Sequence, residues 1–295
     1  MSVATRPKGR TKTGARIQRP VQIAIPGFDI GPDDTVVDVG CGDGVCCVYA
    51  GNRGAAVIGI DIEPTLVEQA NLAMRDIPAR SWQGIVSNSD PIPVADGTAS
   101  VVICTEVMEH VDDPARLAAE LSRIAKPGAR YLISVPDPAS EGLMRHVAPP
   151  WYWRPPFHRR VIQHHELDAV LKTAGIHVER RDLGGSYYTV RWLLWMTLVA
   201  DPYDTAENTP LMKIWDQIWG MLMASPHAPQ IVYALERTLP KSQIVLASKS
   251  GGSRLSRLRR ALAGPTGWRS RLRSGSFRLG DFEFGWYARR HRRAG

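Results

Sequence analysis

The chain has 295 residues, 44% of them hydrophobic and 22% charged, with a formal net charge of +8. This is the make-up of a globular protein long enough for one large domain or two small ones. No run approaches the ~18–20 consecutive apolar residues of a membrane span, and no apolar core follows the basic N-terminus, which argues against a secretion signal. The positive charge is unevenly placed. Residues 1–20 carry six basic residues and no acid, residues 251–295 carry twelve arginines against Asp281 and Glu283, and removing both ends leaves the middle at about −8. An acidic body with two basic ends is therefore expected. Cys41, Cys46, Cys47 and Cys104 show no CxxC spacing, so reduced cytoplasmic thiols are expected in place of disulfides or a zinc site.

Residues 1–20 are rich in Pro, Gly, Thr, Arg and Lys and read as a mobile arm. TVVDVG (35–40) reads as a buried strand that runs into glycines, and a helix can start within 44–51. AVIGID (56–61) is a second strand, and Pro64 suits the first turn of the helix that follows in PTLVEQANLAM. GIVSN (84–88) reads as a short third strand and SVVICT (100–105) as a fourth. ARLAAELSRIA (115–125) has helical spacing and meets a stop at Pro127-Gly128. YLISVP (131–136) is a fifth strand, HELDAVLKTAG (165–175) an amphipathic helix closed by Gly175, and HVERRDL (177–183) and QIVLASK (243–249) the last two strands. Between those two, residues 186–240 hold RWLLWM, LMKIWDQIWGMLM and IVYALE, a helical, Trp-rich insertion. Strands alternating with helices, with continuous Val/Ile runs, imply a doubly wound, mostly parallel sheet covered on both faces.

The chemistry begins at VVDVGCGDG (36–44). Glycines after a strand permit a tight turn and the close approach of a ligand to backbone. Asp61 follows Gly40 by about 21 residues, at the end of the second strand, where a carboxylate can accept hydrogen bonds from ribose hydroxyls. A nucleoside-containing cofactor follows. Dinucleotide sites read GxGxxG, whereas this chain has GxGxG with Asp38 two residues before the first glycine. A carboxylate there suits a cationic amino group better than a phosphate.

On these residues the chain resembles the class I S-adenosylmethionine-dependent methyltransferases, in particular the small-molecule and quinone-type enzymes. VVDVGCGDG is similar to the family's first motif and VIGIDIEPTLVEQA to its second-strand motif. IPVADGTASVVICTEVMEHVDDP resembles the segment around the fourth strand, and RIAKPGARYLISVPDP the helix, turn and fifth strand. The resemblance runs from Thr35 to Lys249 and implies a seven-stranded Rossmann-like α/β sheet, with a helical insertion before a last strand that lies antiparallel between the fifth and sixth. It divides the chain into a basic arm (1–20), a methyltransferase domain (21–250, with 186–240 as the insertion) and a basic tail (251–295). It implies S-adenosylmethionine as cofactor and methyl transfer to an oxygen, nitrogen or carbon of a small organic, glycan or lipid-linked acceptor; no residue is assigned to a metal, and a need for one is not readable from the sequence. The backbone of Gly40, Cys41 and Gly42 would lie against the cofactor's amino-acid part, with Asp38 helping to fix it. Asp61 would hold the ribose, Ile62 the adenine face, Asn88 or Asp90 the adenine amino group, and the backbone from Cys104 through Thr105 to Glu106 the methionine end. Two positions depart from the family. Asn88 stands where an aspartate is common, and Ala99-Ser100 replaces a Phe-Asp pair, for which a local repacking is expected.

The acceptor side is less defined. His110, after the fourth strand, is either a general base or substrate contact, or with Glu109 orders the loop. His158, with Arg159 and Arg160, either holds an acidic or hydroxyl-rich acceptor or belongs to a solvated loop. For His164 and His165 a place at the start of a helix is favoured over a metal site. Trp151, Tyr152 and Trp153 form either lid core or a platform. The pairs Trp192/Trp195 and Trp215/Trp219 lie one helical turn apart and read as the packing of a helical cap, or else as an apolar wall for substrate or lipid. The tail segments RLSRLRRALAG and FRLGDFEFGWYARRHRR suit an anionic membrane surface or a nucleic acid. A cytoplasmic enzyme with peripheral membrane contact is the expectation. A nucleic-acid methyltransferase is the rival, opposed by the acidic body and by TEVMEH after the fourth strand. A non-catalytic binding module is a second rival, opposed by the intact glycines and Asp61.

Overall fold

The computed structural model describes residues 28–155, 157–198 and 209–251. The basic arm and all of the tail beyond Gly251 lie outside the described residues, as do residues 199–208 of the insertion. Seven strands form one sheet: β1 (Thr35–Val39), β2 (Ala56–Asp61), β3 (Ser81–Val86), β4 (Ala99–Thr105), β5 (Ala125–Pro136), β6 (Ile176–Gly184) and β7 (Ser242–Lys249). Their order is β3-β2-β1-β4-β5-β7-β6. The pairs among β1 to β5 are parallel, while β7 runs antiparallel to β5 and to β6. The chain winds outward in both directions from the β1–β4 pair, so a crevice opens beyond the C-terminal ends of those strands, where open α/β sheets bind ligands.

Helices α1 (Val45–Gly51), α2 (Pro64–Met74), α3 (Pro114–Ile124), α4 (Pro138–Val147) and α5 (His164–Thr173) accompany the sheet. The alternation of strand side chains divides the core in two. Val37, Val39, Val102 and Tyr131 join Leu117, Leu121, Leu167 and Leu171 of α3 and α5 on one face. Val36, Val57, Val101 and Leu132 join Cys46, Cys47, Ala70 and Met74 of α1 and α2 on the other. Burial on both faces explains why these strands are continuously apolar. Helix starts follow local chemistry. Pro64 and Pro114 occupy first turns, Asp113 caps α3 through the amides of Ala115 and Arg116, and Gln163 with Glu166 makes a capping box on α5.

Several boundaries differ from the sequence reading. The third strand starts three residues earlier, at Ser81, and ends at Val86. Helix α3 ends at Ile124, and β5 begins at the next residue, so Pro127-Gly128 lies inside the irregular first part of a strand. Its pairing with β4 supersedes the local stop signal. Helix α4 and a 3-10 turn at Pro150–Trp153 were not expected from the sequence. Asp137-Pro138 did carry a cap and first-turn signal for α4, but only a few apolar residues follow it. At the expected repacking, Ala99 is fully buried, and the Ser100 hydroxyl accepts from the Thr35 amide at 2.9 Å and donates to Asp34 at 2.7 Å.

The insertion is helical where described: α6 (Ser186–Met196), α7 (Pro210–Met223) and α8 (Ala228–Thr238). A third apolar cluster joins it to α4 and the 3-10 turn through Met144, Tyr152, Trp195, Met196 and Met212, with Trp151, Trp153 and Trp192 against it. Trp192 and Trp195 and the Trp-Tyr-Trp run thus supply the core of this cap, while Trp215 and Trp219, both partly buried, pack against Tyr187. No helix among the described residues is long and apolar enough to cross a membrane.

Candidate functional site

At the end of β1 the backbone turns sharply and is fastened to β2. The amides of Gly40 and Cys41 both donate to the Ile60 carbonyl, at 2.8 and 2.9 Å. The Gly42 amide donates to Asp61 Oδ2 at 2.9 Å, and the other Asp61 oxygen accepts from the Glu63 amide at 3.0 Å. Asp61 therefore holds the turn, while each oxygen keeps a lone pair for a further donor. Two glycines are demanded for different reasons. Gly40 has φ +75, and a Cβ there would overlap a methyl of Val107. Gly42 has φ +56, and a Cβ there would meet nothing within 4 Å. Gly42 thus faces open space at the crevice.

Asp38 lies beneath this turn and is 1% exposed. Its Oδ2 accepts from the Cys47 thiol at 3.3 Å, and its Oδ1 has no hydrogen-bond partner among the described residues. Burial pushes its carboxyl up to about 7, with Asp61 adding to the shift and the Cys47 hydrogen bond opposing it. A buried carboxylate with an idle oxygen is costly unless a donor or cation meets it. An ammonium group would do so. Cys41 is buried and its thiol points to the Gly42 carbonyl. Burial raises the thiols of Cys46, Cys47 and Cys104 well above their ordinary values, so these are packed, unreactive groups. The described structure contains all four cysteines as free thiols.

Ile62 follows Asp61 and is 69% exposed, an apolar surface beside the crevice. Asn88 and Asp90 sit on the loop after β3. Asn88 is exposed and accepts from the Asp90 amide at 3.1 Å, whereas the Asp90 carboxylate pairs with Arg116 at 2.6 Å. The structure therefore brings Asp38, Gly40, Cys41, Gly42, Asp61 and Ile62 to one end of the sheet. It ties the carboxylate of Asp90 to helix α3.

Thr105 is buried at the end of β4, and Glu106 follows with φ +56, unusual for a residue with a side chain. Its amide donates to the Ser134 carbonyl at 2.9 Å. Its carboxylate accepts from the Ser134 hydroxyl at 2.8 Å and from Lys241 Nζ at 3.0 Å. Burial pushes the Glu106 carboxyl up, but Lys241 and Ser134 outweigh it and leave it below the ordinary range. Burial likewise acts to lower the Lys241 ammonium, and Glu106, Glu141 and Glu109 hold it above its usual value.

The rings of His110 and His158 stand edge to face with centroids 5.0 Å apart. His110 Nε2 lies 3.5 Å from Glu109 Oε1, and Glu109 is buried. His158 is buried as well. Its Nδ1 contacts Glu141 Oε2 at 3.0 Å, and the other Glu141 oxygen accepts from the Tyr152 hydroxyl at 2.8 Å. Burial and Glu141 push the Tyr152 phenol well up, so it stays a donor. The two arginines after His158 do not accompany it: Arg159 pairs with the Asp112 carboxylate and Arg160 donates to the Asp112 carbonyl at 2.8 Å. His164 opens α5 as expected and contacts the buried Asp137 at 2.7 Å, while His165 is exposed. Lys241, Glu141 and Ser134 were not read as site residues, and Tyr152 was read only as part of a lid core or platform. Lys241 lies 135 residues from Glu106, and no local pattern joins the two.

A glycine turn open to a ligand, an idle buried carboxylate, a second carboxylate at the β2 end and an exposed isoleucine fit a nucleoside bearing a cationic amino acid. Beside them, a histidine pair backed by carboxylates can take a proton from an acceptor. A family model described as a methyltransferase domain matches residues 13–180, more than half of the chain. The ubiquinone biosynthesis O-methyltransferase of Thiobacillus denitrificans is 35% identical over 99 residues, covering 34% of this chain and 43% of that protein. Its counterpart in Xylella fastidiosa is 29% identical over 159 residues, covering 52% and 64%. The chain thus spans less than two thirds of the length of these curated relatives. Among solved structures, the [4+2]-cyclase SpnF aligns over 76% of this chain and 78% of its own, with a TM-score of 0.52 and 18% identity, a likeness of fold.

Proposed function

The chain belongs to the methyltransferase-domain family, and from that premise we propose that it transfers a methyl group from S-adenosylmethionine to an oxygen, nitrogen or carbon of a small organic, glycan or lipid-linked acceptor. The observation that carries this reading is the unpartnered Oδ1 of Asp38, 1% exposed beneath a glycine turn that Asp61 fastens to β2. When bound, the cofactor would supply an electrophilic methyl on a sulfonium, which leaves as a neutral thioether when an acceptor lone pair takes the methyl, and a hydroxyl acceptor would have a proton to give up.

The chain's own residues would do the following. Asp38 meets the ammonium, and the backbone of Gly40, Cys41 and Gly42 lies along the amino-acid part. Asp61 accepts from the ribose hydroxyls, Ile62 covers the adenine, and Asn88, whose Oδ1 takes the Asp90 amide and keeps a second lone pair, meets the adenine amino group, since the Asp90 carboxylate is engaged by Arg116. The backbone of Thr105 and Glu106, held by Ser134, closes the methionine end. His110 and His158 face the acceptor. With Glu141 on its Nδ1, His158 presents Nε2 as a proton acceptor, the role of a positioned base.

Small-molecule acceptors are supported by the names of the curated ubiquinone-pathway relatives. The finer reading is an acceptor with an apolar part, reached at an anionic membrane. Helix α7 supports it: Leu211, Ile214, Ile218 and Met221 recur along it at helical spacing and are exposed. Calorimetry with S-adenosylhomocysteine and NAD tests the cofactor. Binding of the first and not the second is expected. Asp61→Ala should lose about 1.5–3 kcal/mol of that affinity, the range for hydrogen bonds to a charged group. NAD binding alone would refute the proposal.

A further inference from the structure

Glu109, His110 and His158 each offer a ligand atom, and these atoms all lie within 4.8 Å of one another. We infer that they form a binding site for one divalent first-row transition ion, with zinc as its probe, on the acceptor side of the crevice. Two imidazoles and one carboxylate are a set that holds such ions with coordination positions left open. Ligands at about 2.0–2.2 Å from an ion stand about 3–4 Å apart. His110 Nε2 and Glu109 Oε1, at 3.5 Å, already meet that spacing, and the remaining closure is within side-chain reach.

Two further observations point to a cation. The first is orientation. Glu141 contacts Nδ1 of His158 at 3.0 Å and is itself fixed by Tyr152, so Nε2 is the ring nitrogen left for a ligand bond. A carboxylate behind a histidine is the usual outer support of a metal-bound imidazole. The second is charge. Glu106, Glu109 and Glu141 all act on Lys241 and on Tyr152. Lys241 pairs with Glu106, while Glu109 and Glu141 are buried beside the imidazoles of His110 and His158. Buried carboxylates are stabilised by a cation held among them, and a divalent ion beside the histidines would be one. Its open positions would take an acceptor oxygen and ease loss of that oxygen's proton, and with the ion bound His158 Nε2 would be a ligand in place of the base. This use rests on the proposed methyl transfer, whereas the site itself does not.

The untagged full-length chain, stripped by chelator, is dialysed against zinc and separately against cobalt(II), and S-adenosylhomocysteine binding is measured on the same samples. One zinc per chain and a cobalt spectrum without thiolate charge transfer are expected. His110→Ala, at a partly exposed ring, should lower zinc affinity at least about tenfold, and Glu141→Gln about 10–100-fold, the range for outer-shell partners. No stoichiometric zinc, a thiolate band from the cysteines, or unchanged affinity in His110→Ala would overturn the inference. S-adenosylhomocysteine binding without zinc would fail the ion site and leave the cofactor reading standing. Zinc binding without S-adenosylhomocysteine would support the site and remove that reading.

Discussion

Asp38 shows how a single side chain can link the site to pH. Its carboxyl has an ordinary value of 3.8 and is pushed up to about 7 by burial. Between those values the folded, cofactor-free protein holds a proton that the unfolded chain has released, so this residue's contribution to stability falls as pH rises through the window. Asp38→Asn should therefore gain stability relative to the parent as pH is raised from about 4 to 7, a trend that melts at several pH values would reveal. Ligand binding has the opposite sign. An ammonium favours the ionised carboxylate, so S-adenosylhomocysteine affinity should climb towards pH 7, by at most about tenfold per unit for one proton, and the climb should vanish in Asp38→Asn. A parallel climb in the variant would move the effect to another group. Gly40 and Gly42 separate fold from ligand in a similar way. At Gly42 added atoms enter open space, so Gly42→Val should cost about 1–3 kcal/mol of cofactor affinity through overpacking of the bound state. It also carries about 1–2 kcal/mol of left-handed strain. Gly40→Val meets Val107 within the protein and should show the larger drop in melting temperature.

At the scale of elements, the acceptor side is assembled from pieces that only their packing brings together. Asp137 follows β5 directly, caps α4 through the Ala139 amide at 2.9 Å and contacts His164 at the start of α5 at 2.7 Å. One buried carboxylate thus joins a strand and two helices. Asp137→Ala removes a cap and a charge-assisted contact, and about 1–3 kcal/mol of stability should go with them. A denaturant midpoint within error of the parent would show that neither contact is maintained in solution. The cap formed by α6, α7 and the 3-10 turn uses its tryptophans largely for its own core, with Trp151 against Trp195 at 5.7 Å and Trp192 against Trp195 at 5.1 Å. What it offers outward is the stripe on α7. Periodicity alone could not separate the two, because the inner and outer apolar residues of α7 are interleaved within the same helical turns.

For the whole molecule, charge sets the strongest expectation. The acidic body and the twelve arginines of residues 251–295 suit an anionic surface, where each basic residue contributes about 1 kcal/mol. Full-length protein should sediment with anionic vesicles at low salt, and protein lacking residues 252–295 should remain in the supernatant. Equal sedimentation would leave the tail without that role and place any contact on α7. The sheet was legible in the sequence. Strands buried on both faces must be continuously apolar, and a glycine turn followed by Asp61 is a local signal carried by neighbouring residues. The grouping of the proposed cofactor residues was readable for the same reason: Asp38, Gly40 and Asp61 lie at the ends of adjacent parallel strands, in fixed register. By itself the sequence determined the alternation of strands and helices, the glycine turn and the acidic body. Only the tertiary structure decided that Lys241 meets Glu106, that Glu141 stands behind His158, and that His158 leaves its neighbouring arginines to join Glu109 and His110. Those partners lie from 17 to 135 residues apart. Buried charges choose partners by proximity in space, which chain folding creates and sequence spacing does not encode.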